Sequence, residues 1–120
     1  MRYLVATDGS EESDEAIRYA SGQATAFDAT LEIVHVLQPE TELINGQVVL
    51  PGGEKATELG EQILDRAHRL AAEIVDERGS DVSIGTRLLT GRPADAITDY
   101  AQEMGTDAIY IGHRGLSEER

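Results

Sequence analysis

The chain has 120 residues, which is enough for one domain of ordinary size and too few for two. Its hydrophobic content of 40% allows a core, but the apolar clusters are far shorter than the ~18 consecutive residues that a membrane span needs. Without cysteines there is no disulfide framework, thiolate metal site or cysteine nucleophile. The N-terminus lacks the pattern of a signal peptide, so we expect a cytoplasmic protein.

Charge is the most unusual feature of the composition. The chain carries 23 acidic and 10 basic residues, for a net charge of −13, and Lys55 is its only lysine. Such a surface repels phosphate backbones and anionic lipids, so we expect no nucleic-acid and no membrane partner. Because salt screens the repulsion between carboxylates, the composition favours a halophilic protein from a salt-rich cytoplasm.

The first third of the chain predicts two strands around a helix. Residues 2–7 form a short apolar run that ends in a turn at Asp8, Gly9 and Ser10. Apolar residues at spacings of three and four predict a helix over 10–27 with Phe27 on its buried stripe, and Asp8 or Ser10 can cap it. A second β-rich run over 31–37 stops before Pro39.

The rest of the chain repeats this alternation. Between residues 40 and 53, Asn45-Gly46 is typical of a hairpin turn, with a mobile flap as the alternative. A long helix is predicted over 54–78, with Leu59 among its buried positions. A third strand follows over 82–89, then a helix that begins at Pro93, and a fourth strand over 108–111.

Strands that alternate with helices predict an α/β fold, a doubly wound open parallel sheet with helices on both faces. In such a sheet ligands bind beyond the carboxyl ends of the strands, at the point where the strand order reverses. The residues just after each strand are therefore the candidates for chemistry.

Two post-strand segments suggest a nucleotide. Asp8 can accept hydrogen bonds from ribose hydroxyls, and Gly112 and Gly115 can bring backbone N–H groups close to a phosphate. Each signal alone is weak, because an acid after a strand is commonly a helix cap and G-x-x-G is commonly a turn. No P-loop, no dinucleotide fingerprint and no phospho-acceptor pattern is present in the sequence.

The histidines add little evidence for catalysis. We expect His35 and His68 to have core or helix-surface roles, whereas His113 either faces solvent or donates to a phosphate. No Ser-His-Asp arrangement, carboxylate pair or metal-ligand spacing stands out. We therefore expect no catalytic and no metal-binding residue.

The segments after and within the four strands, taken in order, resemble the universal stress protein family. The matching motifs are Val5-Ala6-Thr7-Asp8-Gly9-Ser10, Val34-His35-Val36, Gly91-Arg92-Pro93-Ala94-Asp95-Ala96-Ile97 and Ile111-Gly112-His113-Arg114-Gly115. They cover essentially the whole chain. The resemblance implies the strand order 3-2-1-4 for the four long strands, with a fifth strand after the end of this chain.

In the ATP-binding branch of that family the glycine loop reads G-x2-G-x9-G-[ST]. Gly112 and Gly115 match its first half, and the third glycine would fall beyond Arg120. We therefore expect residues 1–120 to be a single domain of this type that lacks its last helix and strand. If the phosphate-binding segment is truly absent, we expect no cofactor.

The resemblance also implies a site and a function. Asp8 would bind the ribose, and the backbone at Ala6, Thr7 and Val36 would frame the adenine. Ile111, Gly112 and Gly115, with His113, would approach the ribose and phosphates of ATP, with or without Mg²⁺. The protein would be an ATP-binding, homodimeric regulator in the stress response. The alternatives are a dimeric protein-interaction module that binds no nucleotide and a slow ATPase.

Overall fold

The computed structural model of the protein describes residues 1–38, 42–44, 47–49 and 54–112. The elements are β1 (Arg2–Ala6), α1 (Glu11–Phe27), β2 (Thr30–Leu37), β3 (Glu42–Ile44), β4 (Gln47–Val49), α2 (Glu54–Glu77), β5 (Ile84–Thr90), α3 (Pro93–Met104) and β6 (Ala108–Ile111). The bounds of the helices and of the four long strands lie within about two residues of those predicted from hydrophobic periodicity. The predicted order of elements is confirmed.

The main sheet has four parallel strands in the order β5-β2-β1-β6. Numbered as the four long strands, this is the predicted order 3-2-1-4. The chain moves outward from β1 to β2 and β5, and α3 then carries it back to the free side of β1. The strand order therefore reverses between β1 and β6, which makes their carboxyl ends the expected place for a ligand.

Helices cover both faces of the sheet because the side chains of each strand alternate between them. On β1, Val5 points into a core shared with α1 and α2, and Leu4 points into a smaller core beneath α3. Both side chains are fully buried. The first core contains Tyr3, Val5, Ile17, Ala20, Ala24, Ala29, Leu31, Ile33, Leu64, Ala67 and Ala71. The second contains Leu4, Val34, Ile97, Tyr100 and Ala101.

The segment between β2 and α2 contains a hairpin. β3 and β4 pair antiparallel, with Ile44 opposite Gln47. The hairpin prediction is confirmed by this pairing, and the predicted turn residues Asn45 and Gly46 lie outside the described residues.

Two predicted core residues are exposed instead. Phe27 is 56% exposed because it is the last residue of α1, where a left-handed Asp28 ends the helix and turns the chain toward β2. Leu59 is 51% exposed because α2 contacts the sheet one residue later, at Gly60. A Cβ at Gly60 would lie 2.8 Å from Leu88 Cδ1, so the missing side chain lets the helix approach closely. Among the described residues, no helix combines the length and the apolar character needed to cross a membrane.

Candidate functional site

A cavity of about 250 Å³ lies at the carboxyl ends of β1, β2 and β6. It is lined by Ala6, Thr7, Asp8, Ser13, His35, Val36, Gln38, Pro93, Ile97, Ile111 and Gly112. Six of the eight predicted site residues are in this set. The other two, His113 and Gly115, lie outside the described residues. The structure thus brings the described candidates together at the switch point, and their role in binding stays a prediction.

Asp8 lies at the edge of the cavity in a tight turn between β1 and α1. The turn is closed by two short-range hydrogen bonds, in which Ser10 N–H donates to Asp8 Oδ1 at 2.9 Å and Gly9 N–H donates to Thr7 Oγ1 at 3.1 Å. Gly9 has φ +84°, a conformation that strongly favours glycine. The cap of α1 is Ser10, whose Oγ accepts from Ser13 N–H at 3.2 Å. Asp8 is therefore not needed as the cap and remains exposed for a ligand.

The same turn favours the ionised form of Asp8. Hydrogen bonding from the Ser10 side chain, opposed by partial desolvation and assisted by the Ser10 backbone N–H, holds the pKa of Asp8 below its ordinary value of 3.8. At neutral pH the carboxylate is therefore a hydrogen-bond acceptor only. An acceptor at the mouth of a cavity suits a ligand that carries hydroxyl groups.

Beneath the turn, buried polar groups fix its position. The Ser13 hydroxyl donates to the Ser10 carbonyl at 2.9 Å, so its oxygen is free to accept from the buried Thr7 hydroxyl at 3.0 Å. His35 Nδ1 lies 2.7 Å from the Thr7 carbonyl oxygen. Because a carbonyl oxygen only accepts, Nδ1 carries the proton. His35 thus ties the end of β2 to the end of β1.

On the opposite side of the turn, Gly112 follows β6 and packs against the first turn of α1. A Cβ at this position would lie 2.3 Å from the Glu12 carbonyl oxygen and 2.8 Å from Ser13 N. Both atoms belong to helix backbone, which has little freedom to move aside. Gly112 is therefore required for packing against α1, a reason distinct from the phosphate approach predicted from the sequence.

The rest of the cavity is largely apolar. Ala6 and Val36 form its floor on the α3 face of the sheet, Ile97 lies on α3, and Pro93 is the first residue of that helix. A slot with apolar walls and a few polar groups is typical of sites for small organic ligands. The described lining contains two titratable side chains, Asp8 and His35. Within the described ranges, no three metal-ligating side chains lie together.

Sequence reasoning missed several lining residues. His35 was expected to have a core or helix-surface role, yet it lines the cavity and bonds to Thr7. Its position near the carboxyl end of β2 was the available signal. Pro93 and Ile97 belong to one of the four family motifs, but no role in the site was predicted for them. Ser13 and Gln38 had no signal in the sequence, because their place in the cavity depends on how α1 and β2 meet.

Comparisons with known proteins agree with this architecture. The model of the universal stress protein family matches residues 1–120. A universal stress protein from Thermus aquaticus is 34% identical over 113 residues, which are 94% of this chain and 77% of the relative. Another from Bacillus subtilis, YxiE, is 32% identical over 125 residues, with 97% of this chain and 80% of the relative covered.

A solved structure of a universal stress protein in complex with cAMP superimposes with a TM-score of 0.73 at 26% identity, and the match covers 97% of this chain and 79% of that one. A further structure, a universal stress protein from Archaeoglobus fulgidus in complex with dAMP, has a TM-score of 0.75 at 24% identity, with 100% and 86% covered. At 24% identity this second match supports the fold alone. On the family match and the curated relatives, the chain belongs to the universal stress protein family.

Proposed function

We propose that this protein is a regulatory protein of the stress response that binds an adenine nucleotide, ATP in particular, with or without Mg²⁺. The observation that carries the proposal is the meeting of an ionised Asp8 with an apolar slot in one cavity at the β1/β6 switch point. The Asp8 carboxylate matches the ribose hydroxyls of a nucleoside, and the apolar slot matches its planar base. The known cAMP complex of a relative supports the same ligand class.

In this proposal the predicted site residues divide into four groups by role. The Asp8 carboxylate accepts from the ribose hydroxyls, and the backbone of Ala6, Thr7 and Val36 frames the adenine against the sheet. Ile111 and Gly112 approach the ribose. Phosphate contacts fall to Gly115 and His113, since the described cavity is smaller than the 300–1,000 Å³ of most ligand pockets and accommodates only part of ATP.

Binding is better supported than hydrolysis. A general base for water activation works best with a pKa near the working pH, and the lowered pKa of Asp8 makes its carboxylate a weak base. We therefore rank a slow ATPase below a protein that responds to nucleotide occupancy. We also propose that this protein works in a salt-rich cytoplasm.

The exposed side of β6 favours a second candidate, a homodimeric interaction module. Ile109 and Ile111 are 44% and 47% exposed on a strand whose described pairing is with β1 alone. Apolar side chains on an edge strand are a common place for subunit contact. This function needs no nucleotide, so binding experiments separate the two candidates.

The test is calorimetric titration of AMP and ATP, each with and without Mg²⁺, in concentrated KCl. Asp8→Ala should weaken binding by about tenfold, the loss of hydrogen bonds to a charged acceptor. Asp76→Ala removes the same charge from the exposed far end of α2 and should leave the affinity unchanged.

Equal affinities for the parent and Asp8→Ala would refute the proposed role of Asp8. A parent chain that binds no adenine nucleotide, even when extended by any residues that follow Arg120, would refute the nucleotide function. A dimer measured by light scattering in that preparation would then favour the interaction module.

A further inference from the structure

A second recess, separate from the candidate nucleotide site, lies between α1 and α2. Its volume is about 250 Å³. It is lined by Asp14, Arg18, Arg66, Arg69, Leu70 and Glu73. None of these residues lines the cavity at the switch point. An inference about this recess therefore does not depend on nucleotide binding.

The charge of the recess is opposite to that of the protein. Three of the ten basic residues of a chain with net charge −13 line this one groove, against two carboxylates. Guanidinium groups that share a small recess repel one another unless an anion lies between them. In so acidic a chain, these arginines could find carboxylate partners at many other places. The clustering of three arginines in one groove therefore needs a physical explanation.

Only one of the three arginines is paired in the described part of the chain. Arg66 forms an ion pair with Asp14, whose side chain is 10% exposed, and also donates to the Gly9 carbonyl oxygen at 3.1 Å. Arg18 lies one turn after Asp14, but that carboxylate is already bound to Arg66. Arg69 lies one turn before Glu73, yet the two form no ion pair within 4.0 Å. Two guanidinium groups thus keep their donors available in the groove.

We propose that this groove binds a small oxyanion of the phosphate class. The planar fork of arginine donates two parallel hydrogen bonds to a tetrahedral or planar oxyanion, and arginine is more weakly hydrated than lysine. The lining is mostly polar and charged, which does not suit an apolar ligand. The Asp14 carboxylate is already bound to Arg66 and does not neutralise Arg18 and Arg69. The bound oxyanion supplies that negative charge.

Inorganic phosphate is the probe for the test. In a ¹⁵N-labelled protein, the arginine Nε–H signals are followed while potassium phosphate replaces KCl at constant ionic strength. We expect saturable shifts at Arg18, Arg66 and Arg69. Arg69→Gln and Arg18→Gln should each weaken phosphate binding by about fivefold, the upper value for an exposed charge interaction. Arg66 is kept intact because it also holds the turn that carries Asp8.

Lys55→Gln is the matched control. It removes one positive charge from an exposed position of α2, outside the groove, and should leave phosphate affinity unchanged. Shifts that grow linearly without saturation, or parental affinity in both arginine variants, would overturn the proposal. The proposal would also be overturned if saturation with AMP abolished the phosphate-induced shift of Arg69. Phosphate would then occupy the nucleotide cavity and not the groove. Competition by sulfate at the same ionic strength would support it.

Discussion

Substitution of Gly112 by alanine tests how closely the end of β6 packs against α1. The new methyl carbon would lie 2.3 Å from the Glu12 carbonyl oxygen, whereas weak C–H···O contacts have C···O distances of about 3.3–3.6 Å. The end of β6 and the first turn of α1 must therefore separate by about 1 Å. Because both contacting atoms belong to backbone, no side-chain rotation relieves the clash.

The expected cost follows from this displacement. Forcing an extra methyl group into a packed site costs about 1–3 kcal/mol. For a domain of this size that lowers the melting temperature by roughly 4–12 °C. Gly112 lines the same cavity as Asp8, so the displacement should also weaken nucleotide binding by about tenfold or more.

Thermal unfolding and calorimetric titration, both in concentrated KCl, measure the two effects. Gly79→Ala is the matched control, because Gly79 has φ +64° and a methyl group added there would meet no described atom within 4 Å. This variant should lose about 1–2 kcal/mol through backbone strain alone and keep the parental affinity. A Gly112→Ala protein that melts at the parental temperature would show that the inferred contact with Glu12 does not exist.

Two further predictions concern polar pairs outside the cavity. The Tyr100 hydroxyl donates to Glu32 Oε2 at 2.8 Å, and desolvation, aided by this bond, raises the pKa of Tyr100 above 10.0. The neutral form is thus favoured in the folded state, so the contribution of this pair to stability should be fully present below pH 10.0 and be lost as pH rises through the folded pKa. Tyr100→Phe should reduce this fall in unfolding experiments across that range, and an unchanged pH dependence would contradict the assignment. For the second pair, Arg66→Gln should cost about 1–3 kcal/mol, because it leaves the nearly buried Asp14 carboxylate without its partner. In a double-mutant cycle measured by urea unfolding, adding Asp14→Asn should recover part of that loss, and strictly additive effects would argue against coupling.

Local features of the chain were sufficient to predict the elements and the edge of the sheet where the candidate site lies. The turn at Asp8, Gly9 and Ser10 is visible because glycine and short polar residues after an apolar run act over two or three positions. The alternation of strands and helices then implies a parallel sheet, in which the carboxyl ends of the strands share one edge. For this reason the meeting of Asp8, Val36 and Gly112 at that edge was predictable from the sequence.

Side-chain geometry and contacts between distant elements decided the rest. Whether Asp8 or Ser10 caps α1 depends on the side-chain geometry of the turn, and the structure selects Ser10. The burial of Gly60 and the exposure of Leu59 depend on the rotation of α2 about its axis against β5. Periodicity gives the spacing of a buried stripe but does not distinguish neighbouring residues when both are compatible with it.

The same distinction applies to the candidate site and to the groove between α1 and α2. His35 bonds to a carbonyl 28 residues away, and Arg66 pairs with an aspartate 52 residues away. Periodicity and turn signals extend over a few residues, so they predict helices, strands and the edge of the sheet where their ends meet. Which side chains touch across that edge, or across the groove between α1 and α2, is decided only when separate elements pack, because burial and hydrogen bonding then act between residues far apart in the chain.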